Sequence, residues 1–296
     1  MTATTDSDAP LLAPARAAVR SRTRRRLRRA LDKIGLALAV TVLLAPCLFV
    51  FFWMLSLSLK YDIDNTAWPP VFIPTQPTLD NFVHVFNESP MLLYFWNSIQ
   101  VTGSATLVAL LLGVPAGYGI AKARAHGLAA MLLLSRMTPG LSYLIPLFTL
   151  FQITGLIGTV WPIALTHMVI TLPIVVWIMI GFFETLPQEL EEAARIDGAS
   201  LWQAFRYIAL PLARPGIVVG AILSFIYSWN NFIFGAVFAG RTTRTMPVAV
   251  YNMLTFESFA WGPLAAAAIV VMLPVILLTI IIQREIVQGL AAGGVK

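Results

Sequence analysis

Carboxylates, small residues and one glycine recur at fixed spacing in a polar stretch, residues 184–214, set between apolar runs. At its centre stands Glu192-Ala193-Ala194-Arg195-Ile196-Asp197-Gly198, and beyond it Ile208-Ala209-Leu210-Pro211. The chemistry on offer is docking rather than bond-making. Glu189, Glu191 and Glu192 present carboxylates to a basic surface, while Ala193, Ala194 and Ala199 admit close approach of another chain. Asp197-Gly198 suits a helix end in which the glycine takes the left-handed conformation. The alternative is a plain amphipathic surface helix, with Glu191 and Arg195 paired at i, i+4 for about 0.2–0.5 kcal/mol.

Bond-making chemistry finds no support. The sequence holds no G-x-x-x-x-G-K-[ST], H-E-x-x-H or G-x-S-x-G and no Cys/His cluster. No catalytic residue, metal site or cofactor is therefore expected on this chain, and any ATP hydrolysis belongs to another.

Two short helices must position the polar stretch. Thr185-Leu186-Pro187-Gln188 has the form of a capping box opening a helix to about Asp197, and Ser200-Leu201-Trp202-Gln203 opens a second through Phe205. Pro211 and Pro215 then interrupt the chain. The pair is expected to lie along a membrane face, because the rest of the sequence is built for lipid. Of 296 residues 58% are hydrophobic and 11% charged, with mean hydropathy +0.80. Soluble domains carry about 25% charged residues. Runs of about 20 apolar residues predict six transmembrane helices, near residues 34–59, 95–121, 128–151, 161–183, 215–239 and 261–283. The chain is thus read as an all-α integral membrane protein, with a polar loop at 184–214 and a tail at 284–296.

Lys/Arg bias orients it. The head, residues 1–33, carries Arg16, Arg20, Arg22, Arg24, Arg25, Arg26, Arg28, Arg29 and Lys33. It reads as a disordered basic segment anchored inside by the span that follows, not as a nucleic-acid arm. Residues 34–59 are too long for a leader's apolar core and read as a retained anchor. Lys122, Arg124, Arg195, Arg206, Arg214, Arg284 and Lys296 join the head's side, against Lys60, Arg241 and Arg244 opposite. Both termini and the polar stretch are expected in the cytoplasm. Cys47 is the single cysteine, so no intramolecular disulfide forms.

Polar groups at membrane depth are the candidates for a solute path. Arg136 is the only charge within a span; it snorkels to the interface or lines the path. His167 is either satisfied by a neighbouring helix or exposed to solute. Trp229, Asn230 and Asn231 combine an aromatic face with amides, suited to sugar hydroxyls or to interhelical hydrogen bonds. Prolines 115, 139, 146, 162, 173 and 274 are expected to kink helices. Outside, residues 241–260 exceed the usual helix connection of about 2–8 residues. Tyr251, Asn252 and Phe256 there either contact a partner or pack back on the outer surface.

The spacing E-A-A, three residues, Gly, nine residues, I-x-L-P resembles the signature loop of binding-protein-dependent ABC importer permeases. Further pieces follow in order: Thr78-Leu79-Asp80-Asn81-Phe82, Asn97-Ser98, Ala116–Lys122, Trp229-Asn230-Asn231-Phe232, and Gln283-Arg284-Glu285 with Gly289–Lys296. Together they resemble the carbohydrate, maltose-type members, with Asn231 where Glu is common and Lys122 where Arg is. The resemblance implies a type I ABC importer permease fold in a prokaryotic plasma membrane, and half of a path completed by a second permease, as a heterodimer. It also implies an ABC ATPase dimer held through Glu189, Glu192, Ala193, Ala194, Asp197, Gly198 and Ala199, with Ile208, Leu210 and Pro211 shaping the loop. An extracytoplasmic sugar-binding protein or lipoprotein would dock at Tyr251, Asn252 and Phe256, delivering a carbohydrate. A permease for a non-sugar solute shares the loop; a secondary transporter is opposed by the lack of an acidic group within any span.

Overall fold

The computed structural model describes residues 12–254 and 260–293, with side chains described from 32 to 280 outside the gap. Helices α1 (Leu12–Ser58), α2 (Asp80–Glu88), α3 (Met91–Lys122), α4 (His126–Ser135), α5 (Leu144–Ile153) and α6 (Trp161–Glu184) come first. They are followed by α7 (Gln188–Ile196), α8 (Leu201–Leu212), α9 (Arg214–Trp229), α10 (Ile233–Phe238), α11 (Met246–Tyr251) and α12 (Trp261–Gly293). The described residues include no strand. Residues 1–56 form one compact unit and 57–296 another, which holds all the site candidates.

In the first unit α1 begins at Leu12, where a disordered head was expected. Alanine and arginine are strong helix formers, and Pro14 falls in the first turn, where its missing N–H costs nothing. At the other end α12 runs on to Gly293 through the expected tail.

Four helical stretches are long and apolar enough to cross a bilayer: Asp32–Ser58, Met91–Lys122, Trp161–Glu184 and Trp261–Ile280. Two further stretches qualify only as bent pairs. The expected helix 128–151 is broken after Ser135 and bends by 82° before Gly140–Ile153. Pro139 bars continuation and pushes Thr138 out of the helical region. The expected 215–239 helix stops at Trp229 and resumes at Ile233. Here the amides compete for backbone partners: Asn230 Nδ2 donates to the Ile226 carbonyl (3.0 Å), and Asn231 Oδ1 accepts from Phe234 N–H (3.4 Å). Of the six prolines expected to kink helices, only Pro115, Pro173 and Pro274 lie in the interior of a continuous helix. Pro146 and Pro162 fall in first turns, so neither kinks its helix.

The core of the second unit is α3 packed along α6, with α9 against both. Close approach explains the glycines. A Cβ at Gly113 would sit 2.7 Å from Val175 Cγ1, and one at Gly117 2.6 Å from Met179 Cβ. In lipid, where no hydrophobic force draws helices together, such contact supplies the packing energy. Gly117→Val should cost about 1–3 kcal/mol by overpacking and lower the thermal midpoint followed by tryptophan fluorescence in detergent. Gly119→Val, with open space at its Cβ, should leave that midpoint unchanged.

One end of this unit is stitched by polar groups. Asn81 Nδ2 donates to the carbonyls of Ser58 (2.9 Å) and Lys60 (2.7 Å). A Cβ at Gly262 would lie 2.4 Å from Asn81 Oδ1, which fixes α12 beside this junction. Lys60 is buried and donates to the Val71 carbonyl. Burial pushes its ammonium below the ordinary lysine range, with Asp64 partly opposing the shift.

Candidate functional site

The polar stretch folds as two short helices joined at a tight corner. Helix α7 starts after Pro187, whose side chain cannot cap. The expected first capping box is absent, because Thr185 Oγ1 donates back to the Phe182 carbonyl (2.8 Å). At the far end Gly198 has φ +92°. Its N–H donates to Arg195 O (3.1 Å) and that of Ala199 to Ala194 O (2.9 Å), the paired bonds of a Schellman end. Helix α8 opens on the second capping box: Gln203 N–H reaches Ser200 Oγ (3.3 Å) and Ser200 N–H reaches Gln203 Oε1 (2.7 Å).

Helix α8 also runs further than the sequence suggests. Residues Phe205–Ala209 form a π turn, immediately before Pro211. Proline offers no N–H to the Tyr207 carbonyl, and the wider turn carries the helix past it to Leu212. The chain then turns by 73° into α9. Phe205, Ala209 and Ala213 are buried with Phe183, Val175 and Met179, and Leu210 packs beside them. Pro211 is exposed.

The outer face of this corner is open. Glu189, Glu192, Ala193, Asp197 and Gly198 are exposed, and Ala194 and Ala199 half-buried. A shallow cleft of about 400 Å³ runs between the helices, lined by Ala194, Asp197, Gly198, Ala199, Gln203, Tyr207 and Ile208. Around it Ile196 is 85% and Tyr207 69% exposed. Apolar side chains standing out of a polar loop mark a contact surface. The helical pattern did not reveal them.

Glu191 behaves differently from its neighbours. It is buried, and its Oε2 accepts from Tyr118 Oη and from Lys122 Nζ, both at 2.8 Å. The surface pair with Arg195, which belonged to the plain amphipathic alternative, is not among the described ion pairs. Instead the carboxylate fastens α7 to the last turn of α3. The Tyr118 ring packs on Phe183 and Phe205, at centroid distances of 5.2 and 4.8 Å.

The membrane-depth candidates separate into core and surface. Trp229 is 1% exposed, with its indole N–H on the Val271 carbonyl (3.0 Å) and its ring stacked on Phe225. Its side chain is thus packed within this chain and makes an interhelical hydrogen bond. His167 is fully buried, its Nδ1 2.8 Å from Ser228 Oγ, which donates to Thr102 Oγ1 at 3.3 Å. His167 Nδ1 and the hydroxyls of Ser228 and Thr102 thus form one hydrogen-bonded chain. Arg136 lies in the break after α4, exposed, beside Tyr143 and Tyr227. Asn230 is exposed and Asn231 half-buried at the α9–α10 break.

The loop after α10 is folded back in its first half. Asn97 Nδ2 donates to Thr242 O (2.9 Å) and Arg244 O (3.0 Å), and Ser98 Oγ accepts from Met246 N–H (2.8 Å). Tyr251 and Asn252 remain exposed at the end of α11. Phe256 lies outside the described residues. Among the described residues no three His, Cys, Asp or Glu side chains gather as metal ligands would.

Known proteins are similar to this chain in sequence and in fold. Residues 109–291 match the family described as binding-protein-dependent transport system inner membrane component. The sulfoquinovosyl glycerol transport system permease protein SmoH of Agrobacterium fabrum is 33% identical over 88% of this chain and 92% of its own. The trehalose transport system permease protein SugB of Mycobacterium tuberculosis is 36% identical over 86% of this chain and 95% of its own. Among solved structures, a bacterial ABC transporter involved in the import of the acidic polysaccharide alginate superposes with TM-score 0.71 at 20% identity. That match covers 88% of this chain and 96% of the other. The family match spans more than half of the chain and both relatives align over nearly their whole length, so this chain belongs to the inner-membrane permease components of binding-protein-dependent transport systems.

Proposed function

We propose that this chain forms one half of the translocation path of an ATP-driven carbohydrate importer. The observation that carries the reading is the corner of α7 and α8, packed on one side against α3 and α6 and presenting a partly apolar exposed surface on the other. An ATPase dimer docks there, against Glu189, Glu192, Ala193, Ala194, Asp197, Gly198 and Ala199. A carbohydrate substrate is supported by relatives named for trehalose and sulfoquinovosyl glycerol and by the fold neighbour named for alginate. A second permease completes the path. The extracytoplasmic binding protein meets the face bearing Tyr251, Asn252 and Phe256. The Lys/Arg bias puts both termini and the corner in the cytoplasm.

Reversing one charge tests the docking surface. Glu192 is exposed and makes no described ion pair, so Glu192→Lys should leave folding intact while opposing a basic partner. At matched membrane levels the variant is expected to retain less ATPase on purification and to lose most uptake. Wild-type retention and uptake would sink the assignment. Orientation is checked in the same membranes, on a Cys47→Ala background. Ser200→Cys should react only from the cytoplasm and Thr242→Cys only from outside.

A further inference from the structure

The break between α4 and α5 lies beside the middle of α6. Its cavity, about 200 Å³, is lined by Ser135, Arg136, Tyr143, Val169, Pro173 and Tyr227 among others. Val169 and Pro173 flank the middle of α6, a 24-residue helix, about 18 Å from either end at 1.5 Å per residue. With a hydrocarbon core about 30 Å thick, the cavity is near mid-depth. Residues 136–139 are non-helical and exposed on this chain. Irregular backbone at that depth persists only against protein or a water-filled cavity. The volume is below the roughly 300 Å³ at which complete small-molecule sites begin, as suits one wall of a shared path.

Its charge is uncompensated among the described residues. Arg136 has no carboxylate partner among the described residues, and no acidic side chain lines the cavity. The end of α4 steadies the cation, because the C-terminal carbonyls of a helix favour positive charge. A guanidinium presents five donors in a flat fork that matches the oxygens of a carboxylate, sulfonate or phosphate ester. Tyr143 Oη donates to the Ser135 carbonyl (3.2 Å), which holds that wall in place.

We infer that this cavity is an anion-recognising half-site, and that Arg136 engages a negatively charged substituent on the transported carbohydrate. The inference rests on the import reading but predicts something that reading does not, a positive field at mid-path. Snorkelling, the other course open to Arg136, would leave the cavity without that field.

Thiol labelling tests it without knowledge of the natural substrate. Thr138, exposed in the break, is replaced by Cys on a Cys47→Ala background, in importer assembled with its ATPase in membranes. The rate with the anionic reagent 2-sulfonatoethyl methanethiosulfonate is compared with that of its trimethylammonium counterpart. Adding Arg136→Gln should lower the anion-to-cation ratio roughly tenfold, as removal of a focused charge does, and Arg136→Lys should keep it. Glucuronate should slow labelling more than glucose at equal concentration. An unreactive Thr138→Cys places the break against lipid or protein. A ratio indifferent to Arg136→Gln places a carboxylate of the second permease beside the guanidinium. Equal effects of the two sugars remove the preference for an anion. Each of these outcomes overturns the inference. Loss of uptake with charge-selective labelling retained counts against the import reading alone.

Discussion

Gly198→Val is expected to leave the chain in the membrane and to abolish most ATP-dependent uptake. Gly198 holds φ +92°, and a Cβ there meets no atom within 4 Å. The penalty is therefore conformational, about 1–3 kcal/mol for a side chain held in this region and greatest for a β-branched one. The corner relieves it by giving up the bonds to Arg195 and Ala194, which moves α8 relative to α7 and deforms the cleft. If docking depends on that cleft, a change of about 1.4 kcal/mol is already tenfold in affinity. Gly198→Asn should recover part of the activity, since asparagine tolerates the left-handed region. Uptake and ATPase co-purification, measured at equal membrane levels, decide the matter. A Val variant that transports at the wild-type rate shows that the corner's shape is immaterial.

Glu191→Ala is the second large effect, and it acts by a different route. Alanine leaves the Lys122 ammonium and the Tyr118 hydroxyl facing a vacated, largely buried position. Removing one member of a buried pair costs about 3–5 kcal/mol. Lys122 is one-third exposed and can be rehydrated, so about 1–3 kcal/mol is expected here. Glu191→Gln keeps an acceptor for Tyr118 and should fall between. Tyr118→Phe should cost about 1 kcal/mol, the usual net value of one hydrogen bond. Because Glu191 joins α7 to α3, importer assembled with these variants and its ATPase should show less uptake per ATP hydrolysed. A double-mutant cycle with Lys122→Met measures the pair itself. Zero coupling energy, with tight ATP-to-uptake stoichiometry in Glu191→Ala, refutes the role given to this carboxylate.

Local chemistry was the legible part of the sequence. Ser200 and Gln203 reveal their capping box because the partners are three residues apart, and Gly198 declares its own backbone. The same rule failed at Thr185 and Gln188, where an apolar helix ends just before the threonine and offers a nearer carbonyl. Lipid-spanning stretches are readable by length, but the break at Pro139 was hidden inside an uncharged run. Glu191 shows the limit most clearly. Its partners stand 69 and 73 residues away, beyond the reach of periodicity. One signal was available: Tyr118 and Lys122 are four apart on the last turn of α3, so both can face one carboxylate. Trp229 left two courses open, sugar contact or an interhelical hydrogen bond, because the carbonyl that its indole meets belongs to Val271, on another helix.

The Thr102–Ser228–His167 ladder joins α3, α9 and α6 inside the core. Each member's hydrogen bond is the next member's reason to be polar. Replacing Ser228 alone by alanine takes away the partner of the buried His167 Nδ1, and replacing His167 alone takes away one of the serine's two partners. Loss of all three to apolar residues of similar volume is far cheaper than loss of one. Inheritance of the three positions is accordingly linked: across descendants of this chain they are expected to drift as a block, and a lineage that sheds the histidine should shed the serine with it.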